Sequence, residues 1–270
     1  MYALDFEYDN RYLSDFGFII CNFDSPSGAD VVESGSKITF NTVMQNRGAK
    51  YGLTSTQYDE CITATFDICK NPDLYDNLEI SNDEYLELVR WLNRKRFHKL
   101  HIIDDDHEIE PCFFEASFNI SKVKIGEILY GLELEMTTDK PFGYGMKRKI
   151  TNTFASSSSS FIINDYSDEI GCIYPTLHIT CNQSGDLRIT NDLTGSSTYI
   201  KNCSKGEVIT IDGSTLSIST SNSSHDICND FNYNFFKIGN EINKRDNIIK
   251  ASLPCTIEFI YSPIIKNSPN

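Results

Sequence analysis

The sequence predicts a mainly β protein with one core helix, in which an N-terminal α+β domain is followed by a C-terminal β-sandwich. Three observations carry this prediction. Aromatic residues make up 12% of the chain, with 14 Tyr and 17 Phe, a composition that favours strands. Residues 81–92 have a complete helix signature, and the sequence after Met146 alternates between apolar and polar residues over short stretches.

The helix is predicted to begin after Ser81. The Ser81 side chain can cap the first turn, and Glu84, three residues later, can reach back to the Ser81 backbone N–H and close a capping box. One apolar face then follows at positions i, i+3, i+4 and i+7, formed by Tyr85, Leu88, Val89 and Leu92. Arg90, Arg94 and Lys95 crowd the C-terminal end, where cations meet the negative end of the helix dipole.

The rest of the first half has the pattern of strands and turns. Residues 1–40 alternate around a turn at 25–28, and 62–68 resume the alternation. After the helix we expect a strand over 99–103, an acidic turn at 104–106 and a further strand over 128–136.

A polar, glycine-punctuated stretch interrupts this pattern within residues 41–55. It predicts a projecting loop or hairpin tip. Two interpretations stay open: an ordinary exposed loop, or an arm that contacts a neighbouring subunit. The candidate inter-subunit arm comprises Asn46, Arg47, Gly48, Ala49, Lys50, Tyr51 and Gly52.

The composition changes at Met146, so we place domains at 1–146 and 147–270. The run of serines at 156–160 is either a linker or the first turn or strand of the second domain. Further on, Asp212-Gly213 between alternating strands predicts a two-residue hairpin turn with positive φ at its central residues. The apolar residues around this turn would share one buried face: Ile209, Ile211, Leu216 and Ile218. Short strands at this spacing are typical of a β-sandwich or jelly roll.

The charge of the chain argues against several partners. The formal net charge is −14, whereas nucleic-acid binding needs a basic groove and an anionic membrane would repel the chain. We expect no signal peptide, because acidic residues interrupt the N-terminus, and no membrane span. The nine cysteines contain no CxxC pair, and we interpret them as small buried hydrophobes rather than a disulfide framework.

The residues give little support for catalysis. Glycine-rich phosphate loops and a GxSxG nucleophile elbow are absent from the sequence. His98, His101 and His107 near three aspartates are the best metal candidates, but a strand over 98–103 would place His98 and His101 on opposite faces. A calcium loop from Asp104 would have Ile109 where glycine is required. We therefore expect a non-enzymatic protein without a metal or cofactor.

The order of these motifs resembles a known family. Asp15-Phe16-Gly17-Phe18, the helix segment 85–92 and the closing Pro141-Phe142-Gly143-Tyr144 are similar to the N-terminal domain of distal tail proteins of long, non-contractile-tailed bacteriophages. Tyr174-Pro175-Thr176-Leu177, the stretch 185–191, the Asp212-Gly213 hairpin and the stretch 230–240 resemble the C-terminal domain of the same family. The resemblance implies a split barrel with one helix, followed by a galectin-like, carbohydrate-binding-module-like β-sandwich (jelly roll).

The resemblance also implies a function. Members of this family are structural hubs at the virion tail tip, assembled in the host cytoplasm as a ring of six subunits. The ring joins the major tail tube protein to tail-tip or tail-associated proteins, and receptor-binding proteins are a further candidate partner. DNA would pass through the lumen without specific binding, and an acidic wall would repel its phosphates.

An alternative function is a carbohydrate-binding adsorption module that recognises host cell-wall polysaccharide. Its candidate docking or sugar face comprises Tyr174, Tyr199, Phe231, Tyr233 and Phe235. Phe231, Tyr233 and Phe235 alternate, which predicts that they share one face of a strand. Packing in a core or an interface explains the same residues, and both interpretations stay open.

Overall fold

The computed structural model describes residues 5–23, 38–43, 52–58, 61–103 and 111–266. In the first half the strands are β1 (Asp5–Tyr8), β2 (Arg11–Tyr12), β3 (Phe18–Cys21), β4 (Ile38–Val43), β5 (Gly52–Tyr58), β6 (Thr63–Lys70), β7 (His98–Ile103), β8 (Phe113–Ile125), β9 (Ile128–Thr138) and β10 (Gly143–Tyr144). A short 3-10 helix spans Leu13–Phe16 and helix α1 spans Asn82–Leu92.

In the second half the strands are β11 (Arg148–Phe154), β12 (Ser160–Asn164), β13 (Gly171–Ile173), β14 (Thr176–Cys181), β15 (Gly185–Asn191), β16 (Ser196–Cys203), β17 (Val208–Asp212), β18 (Ser217–Thr220), β19 (Ile238–Asn240), β20 (Asp246–Ala251), β21 (Cys255–Tyr261) and β22 (Ile264–Ile265). The one-turn helix α2 spans Ile227–Asp230. The chain divides into two compact units: unit 1 is Met1–Gly145 with Ile265–Asn270, and unit 2 is Met146–Ile264.

Unit 1 is an antiparallel sheet with one helix packed against it. The strand order is β2-β1-β7-β8-β9-β6-β3. Helix α1 contributes Trp91, whose ring stacks on Phe16 at 4.5 Å and on Phe6 at 5.7 Å. The Trp91 indole N–H donates to the Tyr8 carbonyl at 3.0 Å, so this large side chain is buried without an unpaired donor.

Helix α1 confirms the local signals of its sequence. The Ser81 backbone N–H donates to Glu84 Oε2 at 2.7 Å, and the Glu84 N–H donates to Ser81 Oγ at 3.4 Å, which is the predicted capping box. Leu88 and Leu92 are buried, while Tyr85 and Val89 are half-buried. The mainly β fold with one core helix is thereby confirmed.

Unit 2 is a sandwich of two antiparallel sheets, ordered β11-β21-β14-β17-β18 and β12-β20-β15-β16. Burial alternates along each strand, as expected when one face of a sheet is covered and the other is solvated. The core is formed by the inward-facing side chains of both sheets, among them Leu177, Ile179, Leu187, Ile189, Ile200, Ile249, Ile257 and Phe259. The serine run lies inside this unit: Ser156 and Ser159 close a turn between β11 and β12 at 3.0 Å.

The Asp212-Gly213 prediction is wrong in its turn type. Asp212 pairs with Ser217, so four residues form the turn instead of two. The Asp212 Oδ1 accepts from the backbone N–H groups of Ser214 at 2.8 Å and Thr215 at 3.3 Å, which stabilises the wider turn. Positive φ falls on Leu216 at 51°, and this side chain is 50% exposed rather than part of the buried face.

The cysteine interpretation is correct for part of the set. Cys181, Cys203 and Cys255 are buried thiols in the sandwich core. Cys61, Cys172 and Cys228 are exposed, because they lie in loops and at short elements where no opposing sheet covers them. None of the nine cysteines, all of which lie in the described ranges, forms a disulfide.

Candidate functional site

Four of the five residues of the predicted docking face gather at one edge of unit 2. Tyr199 lies on β16, the edge strand of its sheet. Phe231 forms a single bridge to Ile200 of that strand, and its ring lies 5.3 Å from Tyr233 and 5.2 Å from Phe235. We call Tyr199, Phe231, Tyr233 and Phe235 the aromatic edge.

The prediction that the three alternating aromatics share one face of a strand is wrong. Phe231 is buried at 4% exposure, whereas Tyr233 is 61% exposed. Tyr233 has φ 53°, the left-handed conformation, which breaks the two-residue alternation of a strand and is costly for a bulky side chain. Phe231 and Phe235 pack against the core, so Tyr233 alone of the three presents its ring to solvent.

Asn232 explains why the chain leaves the strand conformation here. Its Oδ1 accepts from the Tyr199 N–H at 3.1 Å, and its Nδ2 donates to the Ser197 carbonyl at 2.8 Å. The Asn232 backbone N–H also donates to the Tyr199 carbonyl at 3.1 Å. The side chain of one residue thus satisfies the edge of β16 in place of a further strand.

Tyr199 is set among charged groups on the outer face of the sheet. Its hydroxyl donates to Asp186 Oδ2 at 2.6 Å, and the guanidinium carbon of Arg188, its cross-strand partner, lies 5.1 Å from the ring centroid. The Tyr199 hydrogen bond holds the pKa of the Asp186 carboxyl below its ordinary value and raises the pKa of the Tyr199 phenol. The result is an aromatic ring flanked by a carboxylate and a guanidinium.

A bulge fixes Asp186 in this position. The register between β15 and β16 shifts between Gly185 and Leu187, and Asn202 adopts φ 55° opposite the shift. The Asn202 backbone N–H donates to Asp186 Oδ1 at 3.1 Å. Bulges re-aim side chains at sheet edges, and here the bulge directs the carboxylate toward Tyr199.

Tyr174 lies in a different environment from the aromatic edge. It lies between β13 and β14, and its carbonyl is so close to Gly213 that a Cβ at position 213 would clash. Lys237 Nζ lies 5.5 Å from the centroid of its ring. The Tyr174 contact also gives the reason for glycine at 213: close backbone approach, rather than the positive φ that the sequence predicted.

Sequence reasoning missed Asp186, Arg188 and Asn232. The first two are separated by one residue in an alternating stretch, a signal that places both on one face of a strand. Asn232 gave no local signal, because its partners Ser197 and Tyr199 are distant in sequence and meet it only in the fold.

The candidate arm is flanked by a two-stranded ribbon. Strands β4 and β5 pair antiparallel from Ile38↔Tyr58 to Val43↔Gly52, and among the described residues the ribbon joins no other strand. Its exposed side chains include Ile38 at 47% and Phe40 at 63%. Gly52 opens β5, and the other arm residues, 46–51, lie outside the described residues.

Ion pairs and ring packing engage the groove along α1 and the described histidines of unit 1. A groove of about 700 Å³ follows α1, but opposite charges pair across it, with Arg94 Nη1 2.9 Å from Asp9 Oδ2. His98 Nδ1 lies 3.6 Å from Asp9 Oδ1, the His101 ring packs 4.8 Å from that of Phe113, and residue 107 lies outside the described part. In the described ranges no three His, Cys, Asp or Glu side chains are placed to hold a metal ion.

The same ranges contain no helix with the length and apolar character required to cross a bilayer.

Comparisons with known proteins place the chain in a family. A family model of a phage tail protein N-terminal domain matches residues 1–140, and one of a phage tail C-terminal domain matches residues 142–261. Among solved structures, the crystal structure of the Dit protein (gp 19.1) of phage SPP1 matches with a TM-score of 0.68. The two chains are 13% identical, and the match covers 96% of this chain and 98% of that one.

The Dit protein of SPP1 is described as a paradigm of the hub adsorption apparatus in phages that infect Gram-positive bacteria. No curated protein matches the chain. The resemblance that the sequence motifs indicated is confirmed by the family models. Because these models together match nearly the whole sequence, the chain belongs to the phage tail protein family, and its fold is that of a distal tail protein.

Proposed function

We propose that this protein is the hub at the distal end of a phage tail, where six copies form a ring between the tail tube and the tail-tip or adsorption proteins. The family match and the likeness to the Dit hub support this proposal. It keeps the predicted division of labour, with residues 1–146 forming the ring and residues 147–270 docking further components. The role is structural rather than enzymatic.

The exposed β4–β5 ribbon is the observation that best supports a ring of subunits. A two-stranded hairpin alone is at best marginally stable in water, and this one exposes Ile38 and Phe40. A closed ring requires two different complementary patches on each subunit. The ribbon and the arm residues 46–52 supply one of these patches, and the neighbouring subunit covers the apolar side chains.

Native mass measurements on variants test the ring. We expect the wild-type protein to give six copies of the 30.7 kDa chain, and deletion of 46–52 or Phe40→Ser to give smaller species with unchanged circular dichroism. A matched control is Tyr166→Ala, which removes a ring 51% exposed in unit 2 and should leave the assembly intact. A complete ring after both ribbon changes would remove the ribbon from the proposal.

One observation favours carbohydrate adsorption by unit 2 as a second function. Tyr233 is an exposed aromatic ring in a strained conformation, and such strain is concentrated at functional sites. Nearby, Tyr199 is flanked by Asp186 and Arg188, groups that hydrogen-bond hydroxyls beside a flat apolar ring. Sedimentation with purified bacterial cell walls tests this function: Tyr233→Ala should reduce binding, Tyr166→Ala should not, and no wall binding by the wild-type chain would reject it.

A further inference from the structure

A buried charged cluster adjoins the aromatic edge, since its member Asp230 directly precedes Phe231. The His225 side chain is 2% exposed and that of Glu207 is 0% exposed. His225 Nδ1 lies 2.6 Å from Glu207 Oε1, and its Nε2 lies 3.3 Å from Asp230 Oδ2. An imidazole therefore lies between two carboxylates with little access to solvent, an arrangement that is expensive to bury unless the charges are paired.

Both carboxylate oxygens of Glu207 accept hydrogen bonds at this site. Its Oε2 accepts from the Ser204 backbone N–H at 2.7 Å, and its Oε1 accepts from the Thr220 hydroxyl as well as from His225. The carboxylate thus joins the turn before β17, the end of β18 and the segment that leads into α2. His225 is the member of the cluster that carries this connection on to Asp230.

The segment that follows has little stability of its own. Helix α2 is one turn of four residues, and its N-cap Asp226 makes no side-chain capping bond; a helix this short does not persist without tertiary contacts. The contacts at its end are Asp230, which accepts from Asn202 Nδ2 at 2.9 Å, and the buried Phe231. The chain then continues directly into Asn232 and Tyr233.

We propose that His225 acts as a pH-sensitive clamp that holds residues 226–236 against β16 and β18, and thereby fixes the exposed Tyr233 of the aromatic edge. The Nδ1 side of the imidazole is hydrogen-bonded to Glu207, whereas Nε2 faces Asp230 at ion-pair distance without a hydrogen bond; protonated, the ring is therefore a cation between two carboxylates. A neutral imidazole has a single N–H, which serves Glu207, so the ion pair with Asp230 is lost when His225 loses its proton. The significance of the clamp for docking rests on the proposed role of unit 2; the clamp itself does not.

The groups that face His225 favour its charged form. Burial disfavours the imidazolium, but the hydrogen bond and charge of Glu207 and the charge of Asp230 outweigh burial, so the pKa of His225 is raised. Cys203, on β16, stays a neutral thiol because its hydrogen bond with Cys181 and its burial raise its pKa. Asp226, on the same segment, accepts from Asn229 Nδ2 at 2.6 Å and adds a further negative charge nearby. Thr220 of β18 is not titratable.

The two shifts define a window of pH in which the clamp is closed. A raised histidine pKa contributes stability in full below the unfolded value of 6.5, and the contribution is lost as pH rises through the folded pKa. Burial raises the pKa of Glu207, but its hydrogen bonds outweigh burial and lower it, so its contribution is complete above 4.5 and is lost as pH falls through the folded pKa. The clamp is closed between the folded-state pKa of Glu207 and that of His225, and it opens on the alkaline side when His225 deprotonates.

Nuclear magnetic resonance of the full chain tests the clamp. The sequence has five histidines, so imidazole Cε1–H signals are few, and the signal lost in His225→Gln identifies His225. We expect its titration midpoint to lie above 6.5. We also expect the exchange protection of the Asn232 and Asn234 amides, corrected for intrinsic rates, to fall several-fold as pH passes that midpoint, while the Ile257 amide in the core stays protected.

Two variants make the test specific. His225→Gln should make Asn232 and Asn234 poorly protected at all pH values, whereas His178→Gln, which alters a histidine paired with Thr210 on the outer face of the other sheet, should titrate like the wild type. A midpoint at or below 6.5, or protection that does not change across the midpoint, overturns the clamp; both are measured on the wild-type chain once the His225 signal is assigned. Loss of wall or partner binding with a normal titration would count against the docking role instead.

Discussion

Helix α1 in unit 1 and residues 226–236 in unit 2 both interrupt the β structure, yet they are stabilised in opposite ways. Helix α1 has its cap, its capping-box partner and its apolar face within twelve consecutive positions, 81–92. Residues 226–236 depend on Asn202 and Tyr199 of β16 and, through the preceding His225, on Glu207 in the turn before β17. The difference teaches that local signals specify the helix, whereas the segment that carries Tyr233 exists only because the sandwich around it has formed.

The largest effect should come from removing the tertiary anchor of the locally specified helix. Trp91→Ala removes a ring that stacks on Phe6 and Phe16, and we expect it to lower the free energy of unfolding by about 3–5 kcal/mol. Urea unfolding measures the change. The control Leu86→Ala, on the exposed side of α1 at 37% exposure, should cost less than about 0.5 kcal/mol. Equal effects would mean that helix propensity, rather than packing, holds α1.

The next effect sharpens the contrast by breaking a long-range contact. Asn232→Ala removes two side-chain bonds to the edge of β16, and we expect a loss of about 2 kcal/mol together with faster exchange of the Tyr199 amide. The control is Asn243→Ala, at an exposed position, which should be neutral. An unchanged Tyr199 amide would show that the edge of β16 does not need Asn232.

A smaller effect isolates a local signal. Ser81→Ala removes the cap of α1, and we expect a loss of about 1 kcal/mol in the free energy of unfolding. Ser81→Asp keeps an acceptor at the same position and should recover most of it. If Ser81→Asp does not recover the lost stability, then the Ser81 hydroxyl acts by donating to Glu84 Oε2 at 2.7 Å.

The smallest effect concerns the turn that the sequence predicted wrongly. Leu216 holds positive φ with an exposed side chain, a conformation that asparagine tolerates better. We expect Leu216→Asn to raise the free energy of unfolding by roughly 0.5 kcal/mol, measured as a small increase in Tm. A clear loss of stability would mean that the Leu216 side chain makes a contact that matters more than its backbone strain.

The sequence was sufficient for features that depend on neighbouring residues. The capping box of α1, the apolar positions 88 and 92 and the strand at 99–103 follow from local pattern, and the structure contains each of them. The motif order also identified the family correctly. The turn at 213–216 was missed because two groups decide its form: the Asp212 side chain, and the Tyr174 carbonyl, which is distant in sequence.

The candidate site was predictable only in part. The sequence pointed to Tyr199, Phe231, Tyr233 and Phe235 because they are aromatic, and their role stays a prediction; their exposure depends on Asn232 and on the bulge at Asp186, which no local pattern reveals. His225 gave no signal at all, since Glu207 lies on a different element and the pair has meaning only when both are buried.

Negative-stain images of the purified full-length protein test the hub assignment most directly. We expect class averages of a ring with sixfold symmetry and a central opening. Single unassociated chains, or a closed assembly of another symmetry, would contradict it.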